Sequence, residues 1–284
     1  MTPLHTLVDG LAFAEGPRWR DGALYLSDMH GHRVLRVEAD GTTTTVLQHT
    51  SPVSGLGWLP DGRLLAVAME GEVLKVEPDG SVVVHADVRP LAAHGVNDMI
   101  SHPGGWSYVG QFGYAREGGA KLAPSALIRV DEDGGVSVAA EDLRVANGMA
   151  ITPDGATLLV AESAGGCISS FTIGDGGALR DRTTWAQLPA GHAPDGMCID
   201  AEGAAWVAAV TAGRFIRVRP GGEVVDEVPM PDGRHAIACV LGGDDRRMLH
   251  LLTAATMAEP ELSRQLLSAR VETLTVDVPG AGWP

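Results

Sequence analysis

The chain has 284 residues, 45% of them hydrophobic, with 37 glycines, 17 prolines and a formal net charge of −15. That acidity, with no lysine and arginine stripe, excludes nucleic acid and other polyanions as partners and is an ordinary means of keeping a compact domain soluble. No apolar stretch approaches about 18 residues and no basic then apolar run opens the chain, so neither membrane insertion nor secretion is expected, and a cytoplasmic protein is.

In chain order the strongest local signals are Asp-Gly and Gly-Gly turns between apolar runs, which mark β-hairpins. A first set comprises Asp21-Gly22, Asp61-Gly62, Gly104-Gly105, Asp154-Gly155, Glu202-Gly203 and Gly242-Gly243. They recur every 40 to 50 residues. A second turn follows most of them: Asp40-Gly41, Asp79-Gly80, Asp133-Gly134, Asp175-Gly176 and Gly221-Gly222. Each unit is therefore two hairpins, or four short strands, and that period predicts propeller blades.

Six units predict an all-β fold, a six-bladed β-propeller with four antiparallel strands per blade, filling residues 1–284 as one domain with no helix of note. The last unit has a hairpin near Gly242 and one more apolar run, Leu267 to Val276, so it lacks a strand. Thr6 to Asp9 is expected to supply it, closing the ring and removing its open edges. Cys167, Cys198 and Cys239 are expected to be free thiols, the last two at matching positions on inner strands.

The repeat also fixes a register. The only two asparagines, Asn97 and Asn147, each precede their turn by seven residues. Aligned on the first turn, the six units contribute Glu15, Ser54, Asn97, Asn147, Asp195 and Ala236 at the entry to the innermost strand. Asn and Asp at strand starts ordinarily serve turns. Turn chemistry gives no reason, however, for both asparagines to share a register with an Asp and a Glu. Two carboxylates and two carboxamides facing one channel make an oxygen cage for a hard dication, with calcium the first choice and magnesium, manganese or zinc fitting a site partly open to water. Cage positions without His or Cys argue against structural zinc.

These residues sit in motifs that resemble the SMP-30/gluconolactonase/luciferin-regenerating enzyme family over nearly the whole chain. The motifs are Glu15-Gly16-Pro17, Val96-Asn97-Asp98, Ala146-Asn147-Gly148-Met149 and Pro194-Asp195-Gly196-Met197-Cys198-Ile199-Asp200, with the closing segment from Val278 to Pro284. The resemblance implies a divalent metal on Glu15, Asn147 and Asp195, metal or substrate on Asn97, and Asp195 as the base. Sugar-lactone members are similar in carrying an arginine two residues before the first Asn. This chain has Gly95 there, which puts less polar or bulkier lactones and esters beside aldonolactones.

A dication at an open site polarises a carbonyl and acidifies water, so the expected activity is metal-dependent hydrolysis of a small-molecule lactone or related ester, with Asp195 as base. Two other readings of the same cage are a different metal-assisted reaction, such as that of a phosphotriesterase, isomerase or cyclase, and a scaffold that binds a protein partner. Gly-x-Ser-x-Gly, Walker, dinucleotide and His-Glu-x-x-His motifs are absent. A monomer or small homo-oligomer is expected.

Substrate contacts are sought around the mouth. His94 and His192 each precede a cage residue by three positions, and His235 immediately precedes Ala236, placing imidazoles near the site as contacts or proton shuttles. The long segment Gly113 to Pro124 reads as a lid with Tyr114, Arg116, Glu117 and Lys121 over the mouth and Gly118-Gly119 as hinges. Asp98 is expected to support the cage, while Glu162 is given no role.

Overall fold

A computed structural model describes residues 4–92, 94–114, 121–257 and 259–283, with the Asp232 side chain also left out of the description. Among the described residues, 24 strands form six four-stranded antiparallel sheets. Turns fall where the Gly-containing dipeptides put them, because the left-handed backbone of positions such as Gly22 and Gly155 suits a side-chain-free residue.

Each blade starts on its innermost strand. These are Ala14–Arg20, Val53–Trp58, Val96–His102, Ala146–Ile151, Pro194–Ile199 and His235–Gly242, for blades 1 to 6 in turn. Neighbouring innermost strands pack against one another in a closed ring, blade 6 returning to blade 1. The core lies between blades, where apolar faces of successive sheets meet, as with Leu56, Leu74 and Trp58 beside Val34.

Blade 6 closes as expected: His5–Leu11 pairs antiparallel with Ala269–Thr275. One difference from the sequence expectation is a short helix, Pro260–Leu266, packed on the Met29–Gly31 turn of blade 1. Pro260 opens it and Leu267 ends it in a left-handed conformation, so the apolar run read from Leu267 becomes strand only at Ala269. No helix among the described residues is long and apolar enough to cross a membrane.

The two ends of the central channel differ. At the end away from Glu15 and Asp195 the C-terminal segment crosses between blades 5 and 6. Gly280 donates to Arg246 O at 2.7 Å, and Ala281 to Ile199 O at 2.9 Å. Ala201 in turn donates to Pro279 O at 2.9 Å.

Candidate metal centre and active site

The register of every innermost strand slips where the aligned site position falls. In blade 1, Glu15 pairs with Ser27 and Arg18 with Tyr25, so three steps on the inner strand meet two on its partner. The same slip occurs between Val53 and Leu56, Val96 and Met99, Ala146 and Met149, and Pro194 and Met197, and between Ala236 and Ala238 in blade 6. A bulge leaves the extra residue outside the ladder and twists the strand, which re-aims its side chain. Six such bulges at one height place Glu15, Asn97, Asn147 and Asp195 around the channel entry.

Glycine after the site residue follows from how closely the inner strands approach. A Cβ on Gly148 would lie 2.4 Å from Asp195 O, and one on Gly196 2.3 Å from the Ala238 Cβ. Neither neighbour is a flexible side-chain end, so no larger residue fits.

Glu15, Asn97, Asn147 and Asp195 are all buried. Glu15 Oε2 accepts from Gly16 N–H at 2.8 Å. Burial, then the negative charges of Asp195 and Asp98, hold the Glu15 carboxyl well above the usual carboxylate range against the Gly16 N–H and Arg18. Asp195 is likewise pushed up to about 8 by burial and Asp98, opposed by hydrogen bonds from Asn147 and the Gly196 N–H. Glu15, Asp98 and Asp195 are thus three carboxyls within electrostatic reach of one another in a dry site.

The arginine that answers them is Arg18. It pairs with Asp98 at 3.0 Å, both side chains buried, and donates to Pro17 O at 2.8 Å and to Met99 O. Burial still raises the Asp98 carboxyl. Asp98 thus stands within electrostatic reach of Glu15 and Asp195 with Arg18 as its partner, and Arg18 was missed. A signal existed: three residues after the site position the other blades carry Gly57, Ile100, Ala150, Cys198 and Cys239, so Arg18 is the single charge in that row.

The donor set fits a dication. Asp195 Oδ1 and Ser54 Oγ are buried with no hydrogen-bond partner, an arrangement that costs free energy unless a ligand meets it. The orientation of Asn147 is set by a relay. Ser163 Oγ donates to Pro194 O at 2.6 Å, so it can only accept from Asn147, whose Nδ2 lies 3.2 Å away. With its amide nitrogen turned to Ser163 and Asp195, Asn147 keeps its carbonyl oxygen for another partner. Among the described residues no three His, Cys, Asp or Glu side chains cluster as a metal site. A cage here must combine two carboxylates with carboxamides, a composition suited to calcium and unlike a structural zinc site.

The remaining candidates are spread around the mouth. His94 is exposed and His192 half-buried, its Nδ1 3.3 Å from Ala190 O in a pocket of about 440 Å³ that also includes Ser163 and Thr211. Tyr114 is half-buried and meets Phe112 edge-on at 6.4 Å. Arg116, Glu117, Gly118 and Gly119 lie outside the described residues. Glu162 is architectural: it accepts from Arg144 N–H at 2.9 Å, from Arg182 at 2.6 Å and from Ser169. All three cysteines are free, with Cys198 and Cys239 both in the cluster between blades 5 and 6.

Comparison with known proteins agrees with this architecture. The chain is 26% identical to the 6-deoxy-6-sulfogluconolactonase of Pseudomonas putida over 95% of its length and 93% of that protein. It is 25% identical to chicken (Gallus gallus) regucalcin, covering 94% of this chain and 92% of that one. A solved gluconolactonase of Xanthomonas campestris superposes with a TM-score of 0.75 at 26% identity, covering 97% of this chain and 89% of the other. The family model described as SMP-30/Gluconolactonase/LRE-like region matches residues 13–255, and the chain belongs to that family.

Proposed function

We propose that this protein is a divalent-cation-dependent lactonase, with Glu15, Asn97, Asn147 and Asp195 holding the cation and Asp195 acting as base. The observation that carries the reading is the buried Glu15 and Asp195 carboxyl pair with an unpartnered Asp195 Oδ1 at the channel entry. Lactonases among its relatives, from Pseudomonas putida and Xanthomonas campestris, support the reaction class. Two carboxylates and amide oxygens favour calcium, with magnesium, manganese or zinc as alternatives.

When bound, the cation supplies Lewis acidity to the ester carbonyl and to water. The protein supplies the rest. Asp195 Oδ1 takes a proton from the attacking water, while Asn147 and the Gly196 N–H hold the other side of the carboxylate. Ser163 fixes Asn147, and Pro194 O fixes Ser163, so the base is oriented through hydrogen bonds that end on the backbone. Arg18 keeps Asp98 paired and confines excess negative charge to Glu15 and Asp195.

The test is hydrolysis of a lactone and ester panel by cation-stripped protein, then with calcium, magnesium, manganese and zinc in turn. Turnover that is lost with chelator and returns with a cation is expected. Turnover indifferent to chelator refutes cation dependence, and failure on every lactone refutes the reaction.

A further inference from the structure

The rim above the carboxylates is apolar. Phe13 stands two residues before Glu15 and Val145 two before Asn147. In blades 1, 2 and 5 the chain after the second strand folds back onto the approach to the first: Met29 N–H donates to Phe13 O at 2.7 Å, Met69 N–H to Pro52 O at 2.9 Å and Val210 N–H to Ala193 O at 3.0 Å. Phe13, Met29, Met69 and Val210, with Phe112 packed on them, belong to one continuous cluster. Its members at the mouth come from blades 1, 2, 3 and 5.

Phe13, Met29, Met69, Val145 and Val210 each keep 5–8% of their surface open, and Phe112 is half-buried. Val145 also holds φ at +60°, a left-handed conformation that a β-branched residue rarely adopts. Strain of that kind persists where the surroundings enforce it, and it falls beside Asn147.

Two positions beside the same described side chains carry no polar arm into the mouth. Gly95, two residues before Asn97, has φ +85°, and a Cβ there would lie 2.7 Å from Met69 O, so the position excludes a side chain. Arg234, the equivalent in blade 6, turns its guanidinium to Thr253 and to Ser268 O. Ser54 and Ala236 leave two of the six bulges with short side chains. Leu122, Met257, Leu266 and Leu267 are also exposed.

We propose that the substrate is a lactone bearing an alkyl or aryl substituent, which lies against Phe13, Met29, Met69, Phe112, Val145 and Val210 while its ring ester reaches Asp195. This rests on the lactonase reading above. Hydroxyls turned toward these six side chains meet no hydrogen-bond partner on them, whereas each methylene buried there improves binding by about fourfold.

Three lactones with the same six-membered ring test it: δ-valerolactone, δ-decalactone and D-glucono-1,5-lactone, assayed with the cation that sustains turnover. We expect kcat/KM for decalactone to exceed that for valerolactone by about tenfold or more, with gluconolactone the poorest. Gluconolactone turned over as well as decalactone overturns the inference and leaves the lactonase reading standing. Hydrolysis of none overturns both. Phe112→Ser is expected to lower kcat/KM for decalactone by about fivefold more than for valerolactone. Equal losses on both overturn the rim's role in specificity. On the unaltered protein, KM that stays flat as the substituent lengthens from methyl to pentyl does the same without any variant.

Discussion

Two pairs of buried carboxylates in this propeller are opposite in kind. Asp28 and Asp200, at strand ends, are fully engaged. Asp28 accepts from Ala12 and Phe13 N–H and from Arg33, and Asp200 accepts from Glu202 and Ala204 N–H and from Arg217 at 2.7 Å. At the channel entry Glu15 and Asp195 repel each other, and an Asp195 oxygen has no partner. A buried charge with a complete shell holds blades in place, whereas one left without a shell stores an unfavourable energy that a proton or a bound cation relieves. The difference separates architecture from chemistry within one residue type.

The largest effect is expected from Asp195→Asn. Removing the base should lower kcat by about a thousandfold, while the cation-free protein becomes no less stable because a buried ionisable group is gone. Steady-state kinetics and thermal unfolding check both halves, and a variant that turns over normally would remove Asp195 from the mechanism.

Asp200→Asn should do the converse. Arg217 would keep only the exposed Glu202 as a charged partner, at a cost of about 2 kcal/mol by chemical denaturation, while turnover of the folded fraction and the response to calcium stay intact. Loss of calcium response in this variant would break the separation between strand end and mouth.

Cation protection should depend on pH. The folded Asp195 carboxyl is raised to about 8, above its unfolded value, so the cation-free fold is favoured at low pH and loses that contribution as pH rises toward 8. Calcium takes the place of the proton. The calcium-dependent gain in stability should therefore grow from about pH 5 to 8, toward about 2.7 kcal/mol at a hundredfold excess over Kd. A gain independent of pH would place the ion elsewhere.

Ser163→Ala should show the smallest effect. Asn147 would lose the contact that orients it, at about 1 kcal/mol, seen as a roughly fivefold fall in kcat with little change in Tm. A fall as large as that of Asp195→Asn would make the hydroxyl a direct participant.

Much of this was legible because turn dipeptides are local. Asp154-Gly155 and its counterparts fix where each hairpin reverses, and strand pairing carries that position to Asn97, Asn147, Asp195 and Glu15 at one height. The N-terminal strand was legible too, since the unit beginning near His235 is one strand short. The short helix Pro260–Leu266 was not, because about two turns of helix between strands leave too short a periodic pattern and are held by packing on blade 1. Arg18 stood out in its row, but its partner Asp98 is 80 residues away.

By itself, then, the sequence determined the repeat, the closure of the ring and the register of four oxygen-bearing side chains, all of which follow from short-range turn chemistry and strand alternation. Tertiary structure alone decided which carboxylates are relieved and which are not, that Ser163 turns the Asn147 amide, and that residues from separate blades merge into an apolar rim. Those outcomes depend on groups distant in the chain meeting in a dry site, where burial raises the cost of every unpaired charge, and no local pattern encodes that meeting.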